Sequence, residues 1–310
     1  MKSSGVRTVA IIPAYNEEKT IAKVILQTKQ FVDEVLVCDD GSTDMTPVIA
    51  QSVGASVVTH QKNQGKGQAF KTLFEEVLKL NPDVVVTIDA DGQHDPSQIP
   101  MLTKPIEARK SDLVVGSRYV EGGKMDAPLH RRFGLWVVNF LYRKATGVKL
   151  NDTQSGFRAY SLEAFKCLAQ CDAEGYGIDG EQLMFAKRNG LKMEEVPISV
   201  KYNGLPITSK NSAVSHGADL ITTLFRLVVE ERPLKLLGLP GIGLTLLGLI
   251  SATCLLFMLV HTGYFSILLA LLTAGTLIVG PLFTVAAITL QAIKSINEKL
   301  NQFERKNRKG

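Results

Sequence analysis

Charged residues are absent from a long C-terminal stretch of this 310-residue chain: Leu236 to Ile293 contains no Asp, Glu, Lys or Arg. One helix needs only about 20 apolar residues to cross a lipid bilayer, so the stretch has room for two. A polar turn at residues 261–263 divides it, which predicts transmembrane helices near residues 236–260 and 267–293. A buried helical hairpin in a soluble protein is the alternative, and the length without charge favours the membrane.

Positive charge is missing from the turn between the two predicted spans but present on both outer flanks. Arg226, Arg232 and Lys235 precede the first span, and six Lys and Arg residues follow the second between Lys294 and Lys309. Positively charged flanks remain on the cytoplasmic side of a membrane. We therefore expect an integral membrane protein in which both ends, and everything before Arg232, face the cytosol.

Cysteine is scarce, and no secretory signal is expected because the first apolar run stops at Pro13. Cys38, Cys167, Cys171 and Cys254 form no paired framework, and no nearby His completes a zinc site. All four are expected to be reduced and structural. No basic stripe with interleaved aromatic residues occurs, and the net charge of +5 lies mainly in the membrane flanks and tail. This pattern indicates an anionic membrane surface rather than nucleic acid as a partner.

The first 120 residues alternate between short apolar runs and helix-length segments. Strands separated by helices indicate a mainly parallel sheet that is covered on both faces, and hence an α/β domain. The predicted strands are Thr8–Ile12, Glu34–Cys38, Ser56–His60, Val84–Ile88 and Asp112–Gly116. The predicted helices are Glu17–Phe31, Thr46–Val53, Gly67–Leu80 and one after Pro96. Residues 119–204 are less regular, with helices near 133–146 and 179–189.

A further helical pattern lies immediately before the first span, in residues 215–233. Its apolar residues share one helix face, which predicts an amphipathic helix in the membrane interface. Packing of that face on the α/β domain is the alternative. The face comprises Leu220, Ile221, Leu224, Phe225 and Val228.

Three carboxylates crowd the end of the fourth predicted strand, in the stretch VTIDADGQHDP. Asp89, Asp91 and Asp95 repel one another at this spacing, so the stretch either forms an ordinary acidic turn or holds a cation. Other polar residues also follow predicted strands, and ligands of open α/β sheets bind at that edge. These are Asn16, Asp39, Asp40 and Arg118.

Six motifs occur in an order that resembles the family 2 glycosyltransferases of the GT-A fold, and among them the dolichyl- or polyprenyl-phosphate hexosyltransferases. The resemblance covers about residues 7–232, and the two predicted spans match a common membrane-anchored form of that group. One glycine-rich motif, NQGKGQA, lacks the P-loop spacing, which excludes an ATPase, and its Lys66 is left unassigned. The six motifs are IIPAYNE (11–17), CDDGSTD (38–44), NQGKGQA (63–69), DADGQ (89–93), GSRY (116–119) and QSGFRAY (154–160).

The resemblance implies a chemical role for the carboxylates that follow the fourth predicted strand. A nucleotide diphosphate leaving group needs cationic charge where negative charge develops, and hard Mg²⁺ or Mn²⁺ ions accept carboxylate and amide oxygens. Asp89, Asp91 and Gln93 are therefore the expected metal ligands, and the ion holds the donor pyrophosphate. Asp95 is expected to belong to the turn, and His94 to make local hydrogen bonds.

The resemblance also implies substrate contacts. Arg131 is expected to bind the acceptor phosphate, and Asp91, Arg118 and Arg131 form the expected catalytic group. Arg132 and Arg158 are further candidates for phosphate contact, and a solvated basic face is the alternative for all of these cations. The expected nucleotide-sugar ligands are Pro13, Tyr15, Glu17 and Asp40 around the nucleoside, with Asp89, Asp91, Arg118 and Lys210 around the pyrophosphate.

The implied activity is inverting transfer of one hexose from a nucleotide-sugar to dolichyl or polyprenyl phosphate, for glycan or glycoprotein assembly. GDP-mannose, UDP-glucose and UDP-N-acetylhexosamine all remain possible donors, and a homo-oligomer is left open. One alternative is transfer to a glycolipid hydroxyl, with Asp179 or Glu181 as the base; otherwise these two residues orient the basic groups. A second alternative is an inactive nucleotide-binding membrane adaptor.

The expected domain division follows from the motifs and the spans. Residues 1–214 form the cytosolic catalytic domain and 215–233 the interfacial helix. Residues 234–293 hold the two transmembrane helices, and 294–310 form a charged cytosolic tail.

Overall fold

Strands and helices alternate along the first part of the chain in the computed structural model, which describes residues 5–169, 178–201 and 233–307. The chain divides into two compact units, residues 1–223 and 224–310. The predicted interfacial helix at 215–233 and Lys210 lie outside the described residues. All five predicted strands are present, and each observed end lies within two residues of the predicted one.

The strands of the first unit are β1 (Thr8–Ala14), β2 (Glu34–Asp39), β3 (Ser56–Thr59), β4 (Val84–Thr87), β5 (Leu113–Ser117), β6 (Lys124–Asp126), β7 (Arg158–Ser161), β8 (Met193–Pro197) and β9 (Ser199–Lys201). Its helices are α1 (Ile21–Thr28), α2 (Thr46–Ser52), α3 (Lys66–Leu80), α4 (Ile99–Glu107), α5 (Leu129–Thr146), α6 (Leu162–Leu168) and α7 (Ile178–Arg188).

Seven of these strands form one sheet in the order β3-β2-β1-β4-β7-β5-β8. All neighbouring pairs are parallel except those of β7, which runs antiparallel between β4 and β5. The expected mainly parallel sheet is therefore confirmed. The section at residues 119–204, which the sequence pattern left as irregular, supplies β7 and β8 to the sheet and a separate parallel pair, β6 with β9.

The centre of the sheet is also the centre of the core. β1 has neighbours on both sides and helices over its faces, so Val9, Ala10, Ile11 and Ile12 are all fully buried. An unbroken apolar run is what a strand covered on both faces requires. The packed sheet gives the polar residues beyond the strand ends a rigid support.

The second unit is a helical hairpin of α8 (Leu239–Thr262) and α9 (Ile267–Asn307), preceded by a short π-helical turn. Two segments are long and apolar enough to span a membrane, Leu234–Thr262 and Ile267–Ile296, with mean hydropathies of 2.3 and 2.1. The predicted pair of apolar helices is therefore confirmed, and α9 continues well beyond residue 293 into the predicted tail.

Small residues bring the two helices of this hairpin close together. A Cβ atom on Gly280 would collide with the Thr245 hydroxyl, and one on Gly241 would lie 2.6 Å from the Thr284 hydroxyl. Such residues let helix backbones approach closely where lipid provides no hydrophobic driving force.

Candidate active site

Three neighbouring parallel strands bring polar residues to one edge of the sheet. β1 is hydrogen-bonded to β2 on one side and to β4 on the other. Because the carboxyl ends of parallel strands meet at one edge, the residues that follow them are brought together there. Asn16 follows β1, Asp39 and Asp40 stand at the end of β2, and Asp89 and Asp91 follow β4.

Asp89 and Asp91 form an acidic pair in the turn after β4. The Gln93 backbone N–H donates to Asp91 Oδ1 at 2.9 Å and closes the turn. Burial, with the nearby Asp89 charge, raises the pKa of Asp91 to about 7. Burial is the largest influence on the pKa of Asp89 and acts to raise it, but the charge and hydrogen bond of Lys66, together with other nearby groups such as Arg158, hold that pKa below its usual value. Asp91 is therefore the member of the pair whose charge is poorly compensated.

The acidic pair suits a divalent ion that is shared with a substrate. Within the residues that the structure describes, no group of three or more His, Cys, Asp or Glu side chains could hold a metal. Mg²⁺ commonly binds one or two carboxylates and completes its coordination with substrate phosphates and water. The carboxylates of Asp89 and Asp91 offer oxygen ligands of this kind, and their binding of a metal together with Gln93 stays a prediction.

Lys66, which the sequence analysis left unassigned, lies against the acidic pair. Its Nζ is 3.0 Å from Asp89 Oδ1 and 3.3 Å from Asp179 Oδ2. Burial acts to lower the pKa of Lys66, but the two carboxylates outweigh it and raise that pKa, so the ammonium is charged. Asp179 is thus paired with a basic residue, which is the orienting arrangement considered for it from the sequence.

Gly156, in the motif QSGFRAY, packs behind the acidic pair. A Cβ atom at Gly156 would lie 2.7 Å from Asp89 Oδ2, so only glycine fits without displacement of that carboxylate. The Thr87 hydroxyl donates to the Gly156 carbonyl at 2.6 Å and fixes the two segments to each other. The antiparallel pairing of β7 with β4 brings this motif to the site, and the sequence analysis missed this contact.

His94 and Asp95 take different places beside the pair. Burial lowers the pKa of His94 to about 4, so its ring is neutral at neutral pH. Its Nε2 is 3.8 Å from Asp89 Oδ2, too far for a hydrogen bond, and its ring packs 5.1 Å from that of Phe157. Asp95 accepts a hydrogen bond from the Ser97 N–H at 3.0 Å and caps the following turn, as predicted.

Asp40, predicted to contact the nucleoside, has protein partners. Its carboxylate accepts hydrogen bonds from the N–H groups of Gln64 at 2.9 Å and Gly65 at 2.7 Å, and His60 Nδ1 lies 2.7 Å from Oδ1. A carboxylate has about four acceptor sites, so these three partners use most of them. Asp40 thereby fixes the loop that leads into Lys66 and α3.

Asp39, which the sequence analysis did not choose as a ligand, has an oxygen without a partner. The side chain is fully buried, and Oδ2 accepts a 3.3 Å hydrogen bond from the Ser42 N–H. Its Oδ1 has no hydrogen-bond partner among the described residues, and burial raises the pKa of this carboxyl. A buried acceptor without a partner at a strand end is available to a ligand donor.

The remaining residues predicted around the nucleoside lie at the end of β1. Pro13 is within the strand, and the Tyr15 side chain is 44% exposed. Asn16 adopts a left-handed φ of 56° and accepts a hydrogen bond from the Thr43 N–H at 2.9 Å. Glu17 accepts one from the Thr20 hydroxyl at 2.9 Å. The Asn16 contact connects the segment after β1 to the segment after β2.

Arg118 is held in a buried ion pair. Its Nε and Nη2 donate to the two oxygens of Asp152, each at 2.6 Å, and the Arg118 backbone N–H donates to the same carboxylate at 3.0 Å. The two side chains are 6% and 0% exposed. The contact of Arg118 with a donor phosphate stays a prediction, and its fork in this structure binds Asp152.

Arg158 is corrected from a candidate phosphate contact to a structural residue. It is fully buried, and its guanidinium donates to the carbonyl oxygens of Ser155, Asp179 and Thr153 at 2.7, 2.9 and 3.2 Å. A phosphate would have to displace these contacts inside the core.

Arg131 is in the first part of α5, although its side chain lies outside the described structure. The exposed face of this helix is aromatic: Phe133, Trp136 and Phe140 are 66%, 50% and 39% exposed. Successive rings stack, with centroids 6.1 and 5.6 Å apart. The helix sequence LHRRFGLWVVNFLYRKAT contains four Lys and Arg residues and no acidic one.

Comparison with known proteins adds to this geometry. Residues 9–169, just over half of the chain, match the family model described as glycosyl transferase family 2. The chain belongs to that family. This confirms the resemblance inferred from the six motifs.

Two relatives of the chain act on lipid phosphates according to their names. The chain is 35% identical over 213 residues to the UDP-N-acetylglucosamine–dolichyl-phosphate N-acetylglucosaminyltransferase of Methanococcus voltae, covering 62% of this chain and 84% of the relative. It is 34% identical over 203 residues to the undecaprenyl-phosphate mannosyltransferase of Micrococcus luteus, covering 62% and 83%.

A solved structure shares the fold of the first unit. Glucosyl-3-phosphoglycerate synthase from Mycobacterium tuberculosis, in complex with Mn²⁺, UDP-glucose and phosphoglyceric acid, matches with a TM-score of 0.56 at 28% identity. The match covers 73% of this chain and 80% of that one. The same enzyme has also been crystallised with Mg²⁺ and UDP. The GT-A fold expected from the motifs is therefore confirmed for this family 2 protein.

Proposed function

We propose that this family 2 protein is a membrane-anchored, metal-dependent transferase that moves a hexose from a nucleotide-sugar to dolichyl or polyprenyl phosphate, with inversion at the anomeric carbon. The observation that carries the proposal is the acidic pair Asp89 and Asp91 at the carboxyl edge of the sheet, with Asp91 poorly compensated. Relatives that transfer sugars to lipid phosphates and two apolar helices in the same chain support it.

On the donor side, the acidic pair and Gln93 would hold Mg²⁺ or Mn²⁺ against the pyrophosphate. The bound ion supplies positive charge that stabilises the departing nucleoside diphosphate. Asp39 Oδ1, buried and without a partner among described residues, would accept a hydrogen bond from the nucleobase or the ribose. GDP-mannose, UDP-glucose and UDP-N-acetylhexosamine are the candidate donors.

On the acceptor side, the nucleophile would be an oxygen of the lipid phosphate, which is already ionised at cytosolic pH. It forms a bond to the anomeric carbon while the bond from that carbon to the donor phosphate oxygen breaks, and the leaving diphosphate keeps the electron pair. No proton has to be removed, so alignment and charge neutralisation suffice. The engagement of Asp179 by Lys66 agrees with a reaction that needs no free carboxylate base.

α5 suits a lipid-borne phosphate. Its basic residues include Arg131, which would bind the acceptor phosphate, and its exposed rings at Phe133, Trp136 and Phe140 offer an apolar surface. Aromatic and basic residues on one helix are typical of a membrane interface. The two apolar helices would anchor the catalytic unit on the cytosolic side and raise the effective concentration of the lipid acceptor.

The test is a transfer assay with membranes that contain the full chain. A panel of radiolabelled nucleotide-sugars is offered with polyprenyl phosphate or with the free polyprenol, in Mn²⁺ or in EDTA. We expect one donor to give a labelled lipid that mild acid hydrolyses, only with the phosphate acceptor and only with metal. Equal transfer to the free polyprenol would overturn the phosphate acceptor, and full activity in EDTA would overturn the metal.

A further inference from the structure

Lys66 connects two carboxylates that come from distant parts of the chain. Its Nζ lies 3.0 Å from Asp89 in the turn after β4 and 3.3 Å from Asp179 in α7. The side chain is 22% exposed, and the ammonium also lies 5.6 Å from the ring centroid of Phe70. The cation is thus held on several sides at the position where the acidic pair faces α7.

The backbone of Lys66 is fixed as firmly as its side chain. Lys66 begins α3, directly after Gly65, whose φ of 92° suits glycine. Asp40 accepts hydrogen bonds from the N–H groups of Gln64 and Gly65, which holds this entry to the helix. The lysine is therefore presented to Asp89 by a rigid support rather than by a flexible loop.

An ammonium group and a divalent ion compete when they bind the same carboxylate oxygen, so each lowers the affinity of the carboxylate for the other. Lys66 contacts Oδ1 of Asp89, one of the two carboxylates proposed to bind the metal, and the attraction of opposite charges at such distances is strong where water is partly excluded. Asp179 offers the ammonium a second partner when Asp89 is taken.

We propose that Lys66 is the internal counter-ion of the metal site: it neutralises Asp89 before the divalent ion arrives, yields Asp89 to that ion, and stays bound to Asp179. The inference rests on the proposed metal-dependent function. It makes Lys66 a positioning residue, and it makes the lysine and the metal competitors for one carboxylate.

This competition predicts opposite effects of two substitutions on Mn²⁺ affinity. Lys66→Met removes the competitor, so the nucleotide-free protein should bind Mn²⁺ about 10-fold more tightly, equivalent to about 1.4 kcal/mol. Asp179→Asn leaves Asp89 as the carboxylate that Lys66 contacts among the described residues, so Mn²⁺ should bind several-fold more weakly. In the Lys66→Met background, the Asp179→Asn effect should shrink to less than about twofold, because coupling through the lysine is lost.

The measurement is a titration of the full chain in detergent micelles with Mn²⁺ alone, in which free Mn²⁺ is followed by electron paramagnetic resonance. Lys62→Met removes an exposed lysine from the preceding loop and should leave the affinity unchanged. Lys66→Arg keeps the charge and should remain close to wild type. Circular dichroism establishes that each variant is folded.

Two outcomes separate this inference from the proposed function. Absence of Mn²⁺ binding by the wild type, even with UDP or GDP present, would contradict the metal-dependent function itself. Binding by the wild type with equal or weaker binding by Lys66→Met would overturn only the counter-ion role. If Lys66→Met does not fold, the Mn²⁺ affinity of Asp179→Asn is the test. Binding by Asp179→Asn that is as tight as that of the wild type, or tighter, overturns the proposal.

Discussion

Gly156 and Asp89 are in contact across two antiparallel strands, so closely that a Cβ atom at Gly156 would lie 2.7 Å from Asp89 Oδ2. The backbone of one motif therefore sets the position of a carboxylate in another. Because Asp89 is a proposed metal ligand, the packing of Gly156 against it should affect metal binding as well as stability.

The first prediction concerns this contact. Gly156→Ala should displace the Asp89 carboxylate and lower both Mn²⁺ affinity and transfer rate by about 10-fold or more, since small misplacements of reacting groups are costly. Mn²⁺ titration and transfer assays measure the two effects. Gly134→Ala is the matched control, because a Cβ atom there meets nothing within 4 Å. Wild-type metal affinity in Gly156→Ala would contradict the role of the contact.

The second prediction concerns Asp91 and pH. Its pKa is about 7 in the folded protein against 3.8 ordinarily, so its contribution to stability is present below pH 4 and lost as pH rises through 7. Asp91→Asn should therefore raise the unfolding temperature of the metal-free protein by a few degrees at pH 8 and by clearly less at pH 5.

Thermal unfolding of the full chain in EDTA measures this difference, with the exposed Glu75→Gln as the control. With Mn²⁺ present the order should reverse, because only the wild type gains stability from the ion. Transfer by Asp91→Asn should fall by at least about 100-fold. Equal unfolding temperatures of Asp91→Asn and wild type at pH 8 would show that the charge of Asp91 does not destabilise the folded protein.

The third prediction separates the neighbours Asp39 and Asp40. Asp39→Asn should weaken binding of the nucleoside diphosphate by about 10-fold or more with little loss of stability, because Oδ1 has no partner among described residues. Asp40→Asn should instead lower the free energy of unfolding by about 2–4 kcal/mol, since its carboxylate accepts two backbone N–H donors and contacts His60. Calorimetric titration measures the nucleotide affinity of each variant, and denaturant unfolding measures its stability. If Asp40→Asn instead weakens nucleotide binding and Asp39→Asn lowers stability, Asp40 is the residue that binds the nucleoside.

The fourth prediction concerns the buried ion pair of Arg118 and Asp152. Removal of either partner leaves an uncompensated buried charge, so Arg118→Ala and Asp152→Ala should each lower the free energy of unfolding by about 3–5 kcal/mol. The double variant should lose less than the sum of the two. If Arg118→Ala lowers donor affinity without any loss of stability, its main partner is the donor phosphate.

The fifth prediction concerns the acceptor. Arg131→Ala should raise the KM for polyprenyl phosphate and lower kcat by about 10-fold or more, with donor affinity unchanged, because the lost group is on the acceptor side. Lys110→Ala, which removes an exposed lysine outside α5, is the control. Asp179→Asn and Glu181→Gln should retain measurable turnover at saturating Mn²⁺. A missing basic limb in the pH–rate profile of either acidic variant, with Arg131→Ala near wild type, would favour a hydroxyl acceptor and a general base.

Local patterns in the sequence were sufficient for much of this protein. A strand covered on both faces must be apolar throughout, and a helix in lipid must lack charge. The strands β1 to β5 and the two apolar segments were therefore predicted within a few residues, although α9 itself continues to Asn307. The placement of Asp39, Asp40, Asp89 and Asp91 at one sheet edge also followed from the alternation alone, because parallel strands end together.

The tertiary structure decided which polar groups meet. Insertion of β7 between β4 and β5 brings Gly156 against Asp89, and the meeting of α3 with α7 gives Lys66 its second partner in Asp179. Such partners are far apart in the chain, and periodicity records only whether a residue is buried, not what it touches. Arg118, a candidate substrate ligand by motif, proved to bind Asp152 for the same reason: a guanidinium satisfies whichever carboxylate the fold places beside it.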